Sequence, residues 1–311
     1  MAKFSIGQIK QQIQQLTNEA TESMLPSFWL TDWLLYVIDQ PAVFLITDDD
    51  YQLTDDELAR FHAGVAKMQQ GIPLAYLTGQ QDFWSLTFKV NTHTLIPRPD
   101  TEVLVEQVLQ WIAADASVKS SQLDKANNAA IKHTDTRKRL LDLGTGSGCI
   151  AISLAHELKK ADWQVVAVDI SSEALKVAKQ NAIKNNVADI EFIQGSWYDA
   201  LPSHSVAPFD VIVSNPPYID EADTHLSRLR AEPISALSAP KHGLADIMRI
   251  AQQAKQYLRT DGLLALEHGF DQGAAVRQIL SDYGLVSVQT IQDYGNNDRV
   301  TLGQKPQENA N

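Results

Sequence analysis

Short apolar runs alternate with longer amphipathic segments from Arg139 to the end of the chain, and this alternation most constrains the fold. The apolar runs have the length of buried strands, and the amphipathic segments have helical spacing. Strands are predicted at 139–143, 163–169, 190–194, 209–214, 262–267, 284–290 and 298–303. Helices are predicted at 148–159, 172–186, 243–259 and 271–282. The pattern predicts an α/β fold, an open and mostly parallel sheet with helices on both faces. Ligands bind such sheets beyond the carboxyl ends of the strands.

The first 80 residues have a different pattern, because apolar residues recur there at spacings of three and four. This spacing predicts a small all-helical domain. Thr54 and Glu57 form a capping-box pattern at the start of one helix. Acidic residues outnumber basic ones in this segment, whereas a domain that grips a nucleic-acid duplex is expected to be basic. The segment therefore does not resemble a duplex-binding module.

A connecting segment follows the helical domain. Apolar residues alternate from Phe83 to Val90 and predict a β-hairpin with its turn near Asn91. Pro99 opens the next helix, which is expected to end near Ala113. The predicted segments are therefore a helical domain at 1–80, a β-hairpin linker at 81–100, an α/β domain at 101–303 with a polar, flexible insertion at 114–138, and a disordered tail at 304–311.

Composition limits the classes of protein. The net charge of −12 disfavours a broad nucleic-acid footprint. A single cysteine, Cys149, excludes an internal disulfide and fits a reducing compartment. No apolar run reaches the roughly 18 residues that a membrane-spanning helix needs, and the first residues lack a signal-peptide pattern. We therefore expect a cytoplasmic protein. The histidines form no metal-ligand pattern, so no metal is expected.

A glycine-rich turn joins the first α/β strand to its helix. Gly144, Gly146 and Gly148 allow tight turning and close approach of a ligand to the backbone, and the helix that follows presents free N–H groups. A dinucleotide site would favour Gly or Ala at position 149, where this chain has Cys149. The turn alone is weak evidence for a ligand site, because a glycine-rich turn also serves as a simple corner between strand and helix.

Two further residues follow the next strands. Asp169 ends the second strand, about 20 residues past the glycines, where an acidic residue suits a ribose with both hydroxyls free. Asp169 also fits the N-cap of the following helix, although the glycine turn upstream favours the ribose role. Trp197 follows the third strand, and an adenine-stacking role and a place in the core are equally compatible with its position.

The fourth strand ends in Asn215, Pro216, Pro217 and Tyr218. The two prolines have φ fixed at about −65° and supply no N–H donors, so the turn is stiff. It displays an amide, free carbonyls and an aromatic ring, which suit a clamp for a planar –NH2 group. The alternative is a rigid turn between strand and helix. The glycine turn and Asp169 upstream favour the catalytic role.

Three motifs together resemble class I S-adenosylmethionine-dependent N-methyltransferases: residues 142–148 (Asp-Leu-Gly-Thr-Gly-Ser-Gly), 167–169 (Ala-Val-Asp) and 215–218. Residues 71–79, 96–102, 232–237, 266–269 and 293–300 narrow the resemblance. Over nearly its whole length the chain is similar to the peptide chain release factor glutamine methyltransferases, the PrmC/HemK family. The resemblance implies a Rossmann-like class I methyltransferase domain with a seven-stranded sheet, joined by the hairpin to the helical domain that helps to bind the release factor.

The resemblance also implies the reaction and the site. S-adenosyl-L-methionine would donate a methyl group, leaving S-adenosyl-L-homocysteine, to the side-chain nitrogen (N5) of the glutamine in the Gly-Gly-Gln motif of class 1 release factors, in support of translation termination. The cofactor would contact Gly144, Thr145, Gly146, Ser147, Gly148, Asp169, Trp197 and Asn215. The glutamine would contact Asn215, Pro216, Pro217 and Tyr218, of which Asn215, Pro216 and Tyr218 would be catalytic. Ser196 stands where related sequences often carry an acidic residue near the adenine. No metal, nucleic acid or membrane is expected, and the protein is expected to be a monomer.

Three alternatives stay open at the level of sequence. An adenine-N6 DNA methyltransferase would use the same clamp on a flipped base, but the acidic balance and the lack of a basic target-recognition domain oppose it. A nicotinamide-dependent dehydrogenase is disfavoured by Cys149 and by the clamp. A docking protein that has lost catalysis is disfavoured by the intact motifs.

Overall fold

The computed structural model describes residues 4–18, 25–123, 137–201 and 207–307. The chain divides into two compact units, one of residues 1–80 with 228–231 and one of residues 81–227 with 232–311.

The first unit is built from helices around one apolar core. They are α1 (Ile6–Asn18), α2 (Ser27–Ile38), α3 (Phe44–Thr47), α4 (Asp55–Gln69) and α5 (Leu74–Thr78). Leu30, Leu34 and Phe61 are fully buried in this core. The predicted capping box is confirmed, because the Thr54 side chain accepts from the Glu57 N–H while the Glu57 carboxylate accepts from the Thr54 N–H. These bonds satisfy backbone donors that the first turn of α4 leaves free.

The second unit begins with the predicted hairpin, formed by β1 (Gln80–Phe83) and β2 (Leu86–Lys89). The predicted turn near Asn91 was wrong, because the chain reverses at Trp84 and Ser85, whose φ angles are 52° and 57°. Two positive φ angles are typical of the tight hairpin turn, which usually carries Asn-Gly. Here tertiary bonds hold the turn instead: the Trp84 N–H donates to Glu102 (2.8 Å) and its indole N–H donates to Glu157 (3.0 Å).

A seven-stranded sheet forms the centre of this unit. The remaining strands are β3 (Lys138–Leu143), β4 (Trp163–Asp169), β5 (Glu191–Gln194), β6 (Phe209–Ser214), β7 (Ile219–Asp220), β8 (Ser238–Ala239), β9 (Leu258–Glu267), β10 (Val286–Gln292) and β11 (Asp298–Gln304). The sheet has the order β10-β11-β9-β6-β3-β4-β5. Only β11 runs antiparallel to its neighbours, so the predicted mostly parallel sheet is confirmed. β7 and β8 form a separate parallel pair.

Helices cover both faces of the sheet. They are α6 (Glu102–Leu123), α7 (Cys149–Leu158), α8 (Ser172–Lys184), α9 (Ala245–Tyr257) and α10 (Gly273–Asp282). Successive strand residues point to opposite faces: Leu140 packs in the core of α6 and α7, and Leu141 packs in the core of α9 and α10. Burial on both faces explains why the central strands β3, β4 and β6 are nearly continuous apolar runs.

Two predicted boundaries were wrong. Helix α6 continues ten residues past Ala113 to Leu123, so the predicted insertion at 114–138 starts too early; β3 also begins at Lys138. Alanines 113, 114 and 116 have high helix propensity, so the helix continues without an apolar stripe. Residues 124–136 lie outside the described residues.

The predicted tail at 304–311 also starts too early, because Gln304 belongs to β11 and the Lys305 N–H donates to the Gly262 carbonyl (3.0 Å). Residues 308–311 lie outside the described part.

Candidate active site

The carboxyl ends of the parallel strands bring the predicted site residues to one edge of the sheet. Leu143 pairs with Ser214 across β3 and β6, and Ser214 pairs with Leu266 across β6 and β9. The Ser214 hydroxyl donates to the Leu143 carbonyl (2.6 Å) and ties the two strand ends together. Asn215 therefore follows β6. Gly144 follows the neighbouring strand β3 on one side, and Glu267 ends the neighbouring strand β9 on the other.

The glycine turn is held by the neighbouring strand. The N–H groups of Gly144 and Thr145 both donate to the Val168 carbonyl (2.9 Å each). Below the turn, the Thr145 hydroxyl donates to Asp142 (2.7 Å), whose carboxyl is fully buried. Gly146 has a φ of +57°, and a Cβ added there would meet no atom within 4 Å. The turn thus presents backbone next to open space, as a ligand cradle requires.

Asp169 caps the glycine turn rather than the following helix. Its Oδ2 accepts from the Gly146 N–H and its Oδ1 accepts from the Ser171 N–H, both at 2.8 Å. The N-cap of α8 is Ser171, whose hydroxyl accepts from the Ala174 N–H (3.1 Å). Burial raises the pKa of Asp169, and the two backbone hydrogen bonds oppose that rise. A carboxylate accepts more than one hydrogen bond at each oxygen, so Asp169 keeps acceptor capacity for hydroxyl groups.

Trp197 lies against the glycine turn. A Cβ built on Gly144 would lie 3.3 Å from its ring, and the ring is half-buried against the core that contains α9. Its indole hydrogen-bonds the Asp246 side chain, which opposes the rise that burial causes in the pKa of Asp246. Trp197 therefore has both a packing role and an aromatic surface beside the turn.

The turn at 215–218 is fixed by contacts from several elements. The Asn215 Nδ2 donates to the Thr101 hydroxyl (3.2 Å). The Tyr218 carbonyl accepts from Gln272 Nε2 (2.8 Å), and its hydroxyl donates to Glu267 (3.3 Å). Gly243 approaches the same carbonyl so closely that an added Cβ would lie 1.9 Å from it. Pro216 is buried, whereas Asn215, Pro217 and Tyr218 are half-buried.

Glu267 is a site residue that the sequence argument missed. It is 1% exposed at the end of β9, and burial raises the pKa of its carboxyl to about 7. The next residue, His268, is also buried, with one ring nitrogen 2.8 Å from the Thr301 hydroxyl. The available signal for Glu267 was an acidic residue ending a buried parallel strand, where function concentrates.

Glu232 fixes the segment that carries Thr101. The Glu232 side chain is 2% exposed, pairs with Arg98 and accepts from the Ile96 N–H (3.1 Å). Arg98 is therefore paired with a buried carboxylate and is not a free solvated charge. The acid holds the backbone of this stiff segment next to the end of the sheet.

The arrangement fits a nucleoside-bearing methyl donor. An open glycine turn, a carboxylate with spare acceptor capacity and an aromatic ring follow β3, β4 and β5 in spatial order. These groups suit a chain of backbone contacts, a ribose and a purine. Within the described ranges, no group of three His, Cys, Asp or Glu residues could hold a metal ion.

Comparison with known proteins gives the family. A methyltransferase-domain model matches residues 134–294, and a model of the PrmC N-terminal domain matches residues 30–79. Curated proteins named release factor glutamine methyltransferase are similar over most of their length. The relative from Aliivibrio fischeri is 40% identical and covers 95% of each chain. The chain belongs to the release factor glutamine methyltransferase family. The relative from Shewanella oneidensis is 43% identical over 87% of this chain and 86% of its own, and the one from Escherichia coli is 40% identical over 87% and 89%.

Membership in the release factor glutamine methyltransferase family accounts for both matched segments, the helical one at 30–79 and the methyltransferase domain at 134–294. The methyltransferase-domain match spans β3 to β10 and includes the glycine turn, Asp169, Trp197, the turn at 215–218 and Glu267. The family also makes the protein an S-adenosylmethionine-dependent methyltransferase. Among the described residues, no helix is long and apolar enough to cross a membrane.

Proposed function

We propose that this protein methylates the side-chain amide nitrogen of the glutamine in the Gly-Gly-Gln motif of class 1 peptide chain release factors. The observation that carries the proposal is the register of β3 and β6, which sets the glycine turn and Asn215 on adjacent strand ends. The proposed methyl-donor cradle and the proposed clamp for a planar amide would thus lie side by side. Relatives that are 40–43% identical over most of this chain are named release factor glutamine methyltransferase, which supports the proposal.

The cofactor residues proposed are those around the glycine turn. Backbone groups of residues 144–148 would bind the donor, Asp169 would accept from its ribose hydroxyls, and Trp197 would pack against its purine. Asn215 would lie at the boundary between donor and substrate. When bound, S-adenosyl-L-methionine supplies an electrophilic methyl group on a positively charged sulfur.

The clamp at 215–218 supplies orientation. A carboxamide nitrogen is a poor nucleophile because its lone pair is delocalised into the carbonyl. The Asn215 Oδ1 and the Pro216 carbonyl would each accept one N–H of the substrate amide, which points the nitrogen face at the methyl carbon and favours the positive charge that develops there. Pro217 and Tyr218 would form a wall against the planar amide. The new N–C bond forms as the S–C bond breaks, and the surplus N–H proton passes to solvent.

The partner is proposed to be a protein rather than a nucleic acid. Adenine-N6 methylation of DNA is not favoured, because the similar curated proteins are named for release factors and the chain carries a net charge of −12. We also propose that the protein acts as a monomer in the cytoplasm, where its single cysteine would stay reduced.

Methyl incorporation tests the proposed function. The protein is incubated with S-adenosylmethionine labelled in the methyl group and with a release factor, and in parallel with a release factor whose target Gln is changed to Ala. Label in the first and none in the second is expected. Equal label in both, or label in duplex DNA but in neither protein, would contradict the proposal.

A further inference from the structure

Thr101 lies directly behind the clamp and contacts it through one atom. The residue ends the short helix Pro99–Thr101 and is 2% exposed. Its hydroxyl oxygen accepts from the Asn215 Nδ2 at 3.2 Å. The same hydroxyl hydrogen-bonds the Glu267 carboxyl and favours the ionised form of that carboxyl. Thr101 therefore joins Asn215 to Glu267, although the three residues come from separate parts of the chain.

Glu267 is unusual for a buried acid. Its Oε1 accepts from the Tyr218 hydroxyl (3.3 Å), while its Oε2 has no hydrogen-bond partner within the described residues. Leaving a buried carboxylate oxygen without a partner costs free energy, so packing alone does not account for an acid at this position. Its contacts lead instead to two clamp residues, Tyr218 directly and Asn215 through Thr101.

The direction of these hydrogen bonds decides how Asn215 is oriented. A hydroxyl donates one hydrogen bond and accepts others, whereas a carboxylate only accepts. When Glu267 is ionised, the Thr101 proton points to the carboxylate, and Thr101 can only accept from the Asn215 –NH2. The Asn215 Oδ1 is then on the far side, turned away from Thr101.

We propose that Thr101 and Glu267 are positioning residues that hold the Asn215 amide with Oδ1 presented to the substrate –NH2 group. The inference rests on the proposed function, because only an –NH2 substrate requires an oxygen acceptor at that point. With the amide reversed, Asn215 would present its own –NH2 to the –NH2 of the substrate, and two donors would face each other.

Protonation of Glu267 reverses the hydrogen-bond chain. A neutral carboxyl donates to Thr101, whose proton is then free to point at Asn215, so the amide turns its oxygen inward. The charged and titratable groups that face Glu267 are Tyr218, Arg299, Asp100 and Cys149, and Arg299 is itself paired with Asp293 (2.9 Å). Burial raises the pKa of Glu267 to about 7. The Asn215 amide is therefore correctly oriented above about pH 7, and this orientation is lost as the pH falls below about 7.

A matched pair of variants tests the role of the hydroxyl. Thr101→Val keeps the shape and removes the hydroxyl, and Thr101→Ser restores it. We expect Thr101→Val to lower kcat about tenfold or more, the scale of a lost positioning contact, with the cofactor Kd from calorimetry unchanged. Thr101→Ser is expected to restore most of the turnover. Equal kcat values in the two variants would overturn the proposal, whereas an inactive wild-type protein would count against the proposed function.

The pH profile gives a readout that a structural role would not move. Turnover of the wild-type protein is expected to fall on the acid side of about pH 7. Glu267→Gln cannot ionise, so its kcat is expected to be lower at high pH and to lose that acid limb. An acid limb that persists unchanged in Glu267→Gln would contradict the assignment.

Orientation is also measurable without turnover. The side-chain –NH2 protons of Asn215, identified by their absence in Asn215→Ala, should exchange slowly in the wild-type protein and in Thr101→Ser. Faster exchange is expected in Thr101→Val. The same fast exchange in all three proteins would overturn the inference whatever the substrate is.

Discussion

Asn215 lies between Gly144 and Glu267 at the edge of the sheet, and the two neighbours are expected to have different roles. Gly144, on the β3 side, begins the glycine turn that is proposed to bind the methyl donor, and Glu267, on the β9 side, belongs to the hydrogen-bond network proposed to hold the Asn215 amide. Because the register is set by strand pairing over several residues, the relative position of the three does not depend on a flexible loop. Preorganised positioning of this kind lowers a reaction barrier without a strong base.

Removing the Asn215 side chain tests its role as an acceptor. Asn215→Ala should fold normally, because the side chain is half-buried and loses one hydrogen bond, to the Thr101 hydroxyl. Turnover should fall by about 10², the scale of lost positioning at a reacting group. Single-turnover methyl transfer measures the rate, and thermal unfolding checks the fold. Turnover near that of the wild-type protein would show that the amide is not the clamp.

Two glycines with positive φ angles allow the cost of backbone strain to be measured separately from the cost of a steric clash at the clamp. Gly243 (φ +78°) would place a Cβ 1.9 Å from the Tyr218 carbonyl, whereas Gly71 (φ +90°) would place one in open space. Gly71→Ala should therefore cost only the strain of a positive φ, about 1 kcal/mol. Gly243→Ala should cost about 3 kcal/mol and lower turnover as well. Chemical denaturation and kcat measure the two effects, and equal losses in both variants would contradict this account.

At the scale of elements, the segment from Ile96 to Glu102 depends on one buried acid. Glu232 satisfies the Ile96 N–H and pairs with Arg98, 136 and 134 residues away in sequence. Glu232→Ala leaves both groups without their acceptor, and we expect a loss of about 1–3 kcal/mol in the free energy of unfolding. Exposed Glu221 is the control, and Glu221→Ala should change stability by less than about 0.5 kcal/mol. Similar values for both variants would refute the role of Glu232.

The sequence predicted elements better than it predicted contacts. The parallel strands β3, β4 and β6 start and end within a residue of their predicted bounds, because burial on both faces demands continuous apolar runs. The hairpin turn at Trp84 and Ser85 was missed because its signal, hydrogen bonds to Glu102 and Glu157, lies far away in sequence. Thr101 was missed as a partner of the clamp for the same reason, since it is 114 residues from Asn215.

At the scale of the whole molecule, the motifs indicate the chemistry and the whole-chain similarity indicates the substrate. The residues predicted to bind cofactor and glutamine gather at one edge of the sheet, and their roles stay predictions. That edge alone does not distinguish a glutamine amide from an adenine amine, because both are planar –NH2 groups. The match to the PrmC N-terminal domain over residues 30–79, and the relatives that cover up to 95% of the chain, favour the release factor.

The most direct test locates the transferred methyl group. A release factor is treated with S-adenosylmethionine and the wild-type protein, and the peptide that contains Gly-Gly-Gln is sequenced by tandem mass spectrometry. A reaction with Asn215→Ala at the same concentration serves as the control. We expect one added methyl group on the glutamine side chain with the wild-type protein and little with the variant. An unmodified glutamine, or a methyl group on another residue, would contradict the central claim.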